Sequence, residues 1–231
     1  MDCLIIIFVL VISLLILAFV YDFNIKKLKE FAKSEEEKFN ELTKKYPSNI
    51  EICKHILKKL GNREVKVEED KNQKTCLYIA ITNKIIIADV KESYTKIQTI
   101  AHECIHSVQD RKILLLNFIF SNIYLVYFIV TLFLGLLSRI SNKMLMLFLM
   151  MFFSYIYYYI RSYLENDAMI KARFLAKEYM EEIKISSKDE IDKIIESYDK
   201  LNNIGIKMTN FELLFGTIVK VIILAGVFVF R

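Results

Sequence analysis

At 231 residues the chain has room for one or two domains, yet 55% of it is hydrophobic, 13% is aromatic and its mean hydropathy is +0.34. Water-soluble domains do not carry that composition, so the chain reads as a membrane protein. The formal charge of +5 is small and spread over lysine-rich segments, and no nucleic-acid-binding motif accompanies it, which excludes a nucleic-acid partner.

Leu4 to Val20 is an apolar run of bilayer length. Met1-Asp2 precedes it and Tyr21-Asp22-Phe23 follows, without the basic start and small-residue exit of a cleaved leader, so it reads as an uncleaved signal anchor. Lys26, Lys27 and Lys29 come next, and the positive-inside rule holds that end in the cytoplasm. From Asn24 to Lys45, Ile25, Leu28, Phe31, Phe39 and Leu42 recur at roughly helical spacing on an otherwise charged segment, a packing stalk. Pro47, the only proline, introduces a second helix with Ser48 or Asn49 as cap and Gly61 as stop. His55 on that helix lies among Lys54, Lys58 and Lys59 and reads as a solvated side chain rather than a ligand.

Three segments rich in valine and isoleucine follow, near Glu64 to Val67, Cys76 to Ile81 and Lys84 to Asp89, with turn residues between them. They predict short strands and a small sheet. The last strand runs into a helix capped by Ser93 or Thr95. Two readings of that strand stand equally: a core strand, or an edge strand that adds a substrate peptide by main-chain pairing.

The helix it feeds carries His102-Glu103-Cys104-Ile105-His106, an H-E-x-x-H sequence in a chain with three histidines. Four residues apart on a helix, His102 and His106 project from one face, one turn above the other. Both imidazoles can then reach a single zinc ion at about 2.0–2.1 Å. Glu103 is rotated off that face by about 100°, which suits a general base better than a ligand. The four cysteines, Cys3, Cys53, Cys76 and Cys104, show no spacing of a disulfide framework or a cysteine zinc site and read as reduced thiols.

After Asp110-Arg111-Lys112, the apolar runs Ile113 to Leu137 and Met144 to Ile160 flank a short polar loop and predict a transmembrane hairpin. The loop holds only Arg139 and Lys143, while most lysines lie on the other side, which again assigns the motif to the cytoplasm. Tyr155, Tyr157, Tyr158 and Tyr159 read as an aromatic belt at the cytosolic end of the second run. A hairpin returns the chain to the side it left, so the residues after Ile160 are where a third ligand is sought. Glu165 supplies a carboxylate there, and Ala168 and Ala172 share its helical face and are small enough for close helix approach. Against that stand a plain charged residue at a membrane boundary and the rival ligand Asp167, whose position two residues on suits a partner to a ligating histidine.

Ser187 and Glu190 have capping-box spacing at the head of a soluble helix to Asn203, with Ile191, Ile194, Ile195, Tyr198 and Leu201 as its apolar face. Leu213 to Phe230 is the last predicted span, with Lys220 near its middle as either a functional group or one facing the bundle interior.

The pattern of spans, the stretch Ala101-His102-Glu103-Cys104-Ile105-His106-Ser107-Val108-Gln109-Asp110, the strand before it and the segment Glu165-Asn166-Asp167-Ala168 resemble the membrane-bound neutral zinc metallopeptidases of the YugP-like type. More distantly they resemble the CAAX prenyl proteases and HtpX-like proteases. The resemblance implies one Zn2+ per chain held by His102, His106 and Glu165, with Glu103 as catalytic base. The family usually has glycine then alanine on either side of the second histidine, where this chain has Ile105 and Ser107, so Ile105 adds bulk beside the metal.

The expected fold is therefore mainly α and integral to the membrane, with four transmembrane helices and a cytosolic zincin-like α+β catalytic domain built from two segments. The anchor is 1–21, the first catalytic segment 22–112, the hairpin 113–160, the second catalytic segment 161–210 and the fourth helix 211–231. The expected activity is zinc-dependent endopeptidase of the gluzincin type in a bacterial cell membrane. Its partners are the lipid bilayer and a peptide or protein substrate, membrane proteins included, and no oligomeric state is implied. The rival readings are a membrane scaffold that keeps the metal site without turnover and an intramembrane protease. The latter conflicts with the polarity of Thr95 to Lys112 and with Pro47 as the one proline.

Overall fold

Long apolar runs with no proline inside them become helices, and helices dominate the computed structural model, which describes residues 2–20, 25–70, 72, 73, 75–88 and 93–231. Residues 20 and 25–29 are described by their backbone only, so the side chains of Lys26, Lys27 and Lys29, like Tyr21-Asp22-Phe23 and Asp89, lie outside the described residues. The elements in order are α1 (Asp2–Val20), α2 (Ile25–Lys44), α3 (Asn49–Lys59), β1 (Lys66–Glu69), β2 (Leu77–Ile79), β3 (Lys84–Ile87), α4 (Lys96–His106), α5 (Arg111–Leu136), α6 (Lys143–Ile183) and α7 (Lys188–Phe230). Four helices are long and apolar enough to cross a membrane, by way of Asp2–Phe19, Arg111–Leu136, Lys143–Ile183 and Lys188–Phe230.

Two expected breaks are missing. The third apolar run and the Glu165 segment form one 41-residue helix, α6, and the Ser187 to Asn203 helix continues into the last span as the 43-residue α7. No proline interrupts either stretch, and one internal glycine such as Gly205 costs only about 1 kcal/mol, too little to stop a helix that is packed along its length.

The chain divides into two units. One comprises Met1–Phe23, Leu116–Tyr163 and Lys207–Arg231. Its apolar centre is Tyr124, Leu147, Met150, Val221, Leu224, Ala225 and Phe228, with Cys3, Ile6, Ile7 and Leu10 of α1 packed against it. At Gly135 of α5 a Cβ would lie 2.9 Å from Phe228 Cε1, so the glycine permits the close approach of α5 and α7. Two polar groups inside this unit meet at Tyr124: the Ser154 hydroxyl donates to the Tyr124 hydroxyl at 3.2 Å, and Lys220 Nζ lies 5.1 Å above the Tyr124 ring. Lys220 thus faces the interior of its unit, the second of its two expected placements.

The other unit comprises Asn24–Leu115 and Leu164–Ile206. Its three-stranded sheet has the order β1-β3-β2, β3 pairing parallel with β1 and antiparallel with β2. The strand before the motif helix is therefore central, and of its two readings the edge strand is the one that fails. Ile85 and Ile87 of β3 are fully buried, and flanking strands on both sides satisfy the backbone polar groups of such a strand. Helix α3 starts with Ser48, one of its two expected caps, in a capping box: Glu51 N donates to the Ser48 hydroxyl, and the Glu51 carboxylate accepts from Ser48 N. Gly61 at φ 72° follows the helix end, where a side chain would be strained. Phe39, Ile52, Ile56, Ile97, Ile100, Ala101, Ala168, Ala172 and Tyr198 lie in one buried cluster that seats α4 against its neighbours. His55 is less solvated than expected: its Nε2 is 3.3 Å from Glu182 Oε1 and its ring packs edge-on against Tyr179.

Candidate metal centre

Helix α4 is fixed at both ends. Thr95 stands at the N-cap position but makes no side-chain cap; Thr95 N donates instead to the Ser93 hydroxyl at 3.3 Å. At the other end Ser107 N donates to Glu103 O, the Ser107 hydroxyl donates to Cys104 O, and Asn62 Nδ2 donates to Ser107 O at 2.8 Å. Orphan carbonyls of the last turn are thereby satisfied without a glycine.

The i, i+4 spacing brings His102 Nε2 and His106 Nε2 to 3.0 Å, with the two rings nearly perpendicular. Glu165 on α6 brings its Oε2 to 3.4 Å from His102 Nε2 and 3.7 Å from His106 Nε2. A tetrahedral ion bonded at about 2.05 Å holds its ligand atoms about 3.3 Å apart, and the three edges of this triangle straddle that value. The donor chemistry agrees. Two imidazole nitrogens and a carboxylate oxygen, His106 and Glu165 each 8% exposed, converge their lone pairs on one point, an arrangement that repels itself unless a cation or a proton sits between them. Residues and spacing therefore fit a zinc ion. Among the described residues, this is the one group of three or more histidine, cysteine, aspartate and glutamate side chains close enough to share an ion.

Glu103 is buried and turned away from that triangle's edge, as its 100° offset requires. Its Oε2 accepts a 2.7 Å hydrogen bond from Tyr78 N of β2, an outer strand of the sheet. Asp167 reaches the site through one intermediary. Gln109 places Oε1 2.8 Å from His106 Nδ1, and its Nε2 donates to Asp167 Oδ2 at 3.0 Å and to Leu164 O at 2.8 Å. Asp167 thus lies outside the His102, His106 and Glu165 group and is joined to His106 only through Gln109. The other carboxylate oxygen accepts from Lys171 at 2.6 Å.

Burial pulls the His106 imidazole toward the neutral form, but the Glu165 and Glu103 carboxylates and the Gln109 amide outweigh it, so its pKa lies above the usual histidine value. Burial likewise pushes the Asp167 carboxyl up, while Lys171 and Gln109 hold it below its usual value. Cys104, inside the motif, points the other way: its Sγ lies 3.6 Å from that of Cys53, and burial drives its thiol pKa well up. Cys76 is pushed to about 11 by burial, and all four cysteines are free. Burial keeps the Cys76 and Cys104 thiols protonated near neutral pH, and no cysteine belongs to the His102, His106 and Glu165 group. Ile105 is 6% exposed and belongs to the buried apolar cluster, so its bulk is absorbed by the core.

Two participants were not anticipated. The Tyr78 amide had no signature in sequence, being backbone. Gln109 had one, since it stands three residues after His106, within reach of that ring at the end of α4. No protein-family model, no curated protein and no solved structure matches this chain.

Proposed function

We propose that the chain is a membrane-anchored, zinc-dependent endopeptidase that hydrolyses peptide bonds at the cytosolic face of a bacterial cell membrane. The single observation that carries this reading is the triangle of His102 Nε2, His106 Nε2 and Glu165 Oε2 at 3.0, 3.4 and 3.7 Å, with Glu103 on the same helix beside it. That is three protein ligands with a fourth position open, the pattern of a catalytic rather than a structural zinc site. Four apolar helices support the anchoring, and the lysine bias of the segments flanking them supports the cytosolic orientation. The YugP-like type is the family this reading assigns, and its catalytic domain would be zincin-like.

Zinc held by His102, His106 and Glu165 would polarise the scissile carbonyl and lower the pKa of a water from about 16 toward 7. Glu103 accepts the proton from the attacking water and passes it to the leaving amine. The Tyr78 amide holds Oε2 of Glu103 and so restricts its rotamers, leaving Oε1 for the proton.

The test uses the full chain purified in detergent: zinc content by elemental analysis and hydrolysis of a casein-like substrate for wild type, E103A and E165A. Zinc retained with hydrolysis abolished in E103A, and zinc weakened in E165A, is the expected result. A wild type without stoichiometric zinc would overturn the reading, and a zinc-loaded wild type that cleaves nothing would move the scaffold reading ahead.

A further inference from the structure

Gln109 joins two helices through chemistry that leaves its amide no choice of orientation. Leu164 O is a carbonyl and Asp167 Oδ2 a carboxylate oxygen, the latter on a residue whose charge Lys171 sustains. Both can only accept, so the group facing them at 2.8 and 3.0 Å must be the Gln109 NH2. Its carbonyl oxygen is then the atom 2.8 Å from His106 Nδ1, and a carbonyl also only accepts. The proton must therefore be on Nδ1, and the lone pair of the neutral ring is on Nε2, the atom that faces His102 and Glu165.

From this chain of donors we infer that Gln109 is a positioning residue: it imposes the Nδ1-protonated tautomer on His106 and ties the end of α4 to the turn of α6 that carries Glu165. The inference rests on the metallopeptidase reading for its purpose but not for its geometry. Without Gln109 the imidazole can rotate or protonate Nε2, and each alternative removes one of the three ligand atoms. The Leu164 carbonyl is one residue from Glu165, so the same side chain sets the spacing of both halves of the site. A glutamine serves where aspartate is the commoner partner of a ligating histidine, because a carboxylate at this position would face Asp167 at hydrogen-bond distance.

The experiment labels the three histidines with 15N in the metal-free full chain in detergent and reads their ring-nitrogen shifts at alkaline pH, where the imidazoles are neutral. Zn2+ affinity is measured alongside, by competition with a chelating dye, for wild type, Q109M and Q109E. H106Q identifies the His106 signals. The expected result is an Nδ1-protonated ring in wild type, a mixture of tautomers in Q109M with Zn2+ affinity down by about 10–100-fold, and recovery of the Nδ1-protonated signal in Q109E, whose carboxylate still accepts from His106 but no longer donates to Leu164 O and Asp167, so that its Zn2+ affinity stays below that of wild type. An Nε2-protonated ring in wild type would overturn the inference by itself, even if no variant folded. A Q109M chain with the wild-type signature and affinity would overturn it equally. If wild type bound no Zn2+, the peptidase reading would fall while the ring-nitrogen spectra still decided the role of Gln109.

Discussion

The Glu103 carboxylate and the Tyr78 backbone amide meet at 2.7 Å across 25 residues of chain, joining the motif helix α4 to the outer strand β2. The carboxylate proposed as the base is thus oriented by an outer strand of the sheet. Holding the carboxylate by a backbone group, rather than by a titratable side chain, orients it without a second charge at the reaction centre.

This pairing separates two substitutions that remove the same base. Both E103Q and E103A should lower hydrolysis by about 100- to 10,000-fold. In E103Q the amide oxygen still accepts from Tyr78 N, and thermal unfolding should match wild type. In E103A the Tyr78 amide loses its partner at a cost of about 1–3 kcal/mol, toward the low end because Tyr78 is only half-buried. Equal melting of the two variants would show that the bond carries no stability.

Ala168 and Ala172 should prove as important to the metal as its ligands are. Both are buried beneath the face of α6 that bears Glu165, in the cluster that also holds Ile97, Ala101 and Cys104 of α4. A168L forces extra volume into that cluster, which costs about 1–3 kcal/mol and drives the helices apart. Zn2+ affinity should fall about tenfold or more although no ligand is changed, as a chelator competition would read. Wild-type affinity in A168L would show that helix spacing does not set the ligand triangle.

Acid should weaken the fold through three exposed glutamates. Bonds from the Ser48 side chain and backbone hold Glu51 below its ordinary pKa, His55 and Lys59 do so for Glu182, and the Ser187 backbone and side chain do so for Glu190. A carboxyl with a depressed folded pKa contributes stability that is present above its unfolded value, about 4.3, and is lost as the pH falls through the folded one. On account of these carboxyls melting temperature should decline below about pH 4.5, whereas His106, whose folded pKa is raised, adds stability that grows as the pH falls toward its unfolded value of about 6.5. The combined E51Q, E182Q and E190Q variant should start lower and decline less; an unchanged acid limb would assign the loss to other groups.

Local rules were enough for much of the molecule. The spans followed from hydropathy, the Ser187 capping box from a serine and a glutamate three residues apart, and the His102 and His106 pair from a four-residue period. Each of these depends on neighbours within a turn or two, which is the range over which sequence spacing and spatial distance are the same thing. Helix ends were less legible: α6 and α7 run through polar stretches that looked like boundaries, because packing along a helix outweighs the small local cost of a glycine or an asparagine.

What only tertiary structure decided is everything that depends on residues far apart in the chain. Strand order made β3 central and β2 an edge, since burial of Ile85 and Ile87 demanded neighbours on both sides. Choosing between Glu165 and Asp167 required the rotation of α6 against α4, which turns one carboxylate to the histidine nitrogens and the other to Gln109. The sequence by itself determined which chemistry was available, two imidazoles and a carboxylate base on one helix in a membrane protein. The fold determined which third carboxylate and which amides adjoin the two histidines and Glu103, because directional hydrogen bonds and a triangle a few ångströms across are set by helix packing and not by spacing along the chain.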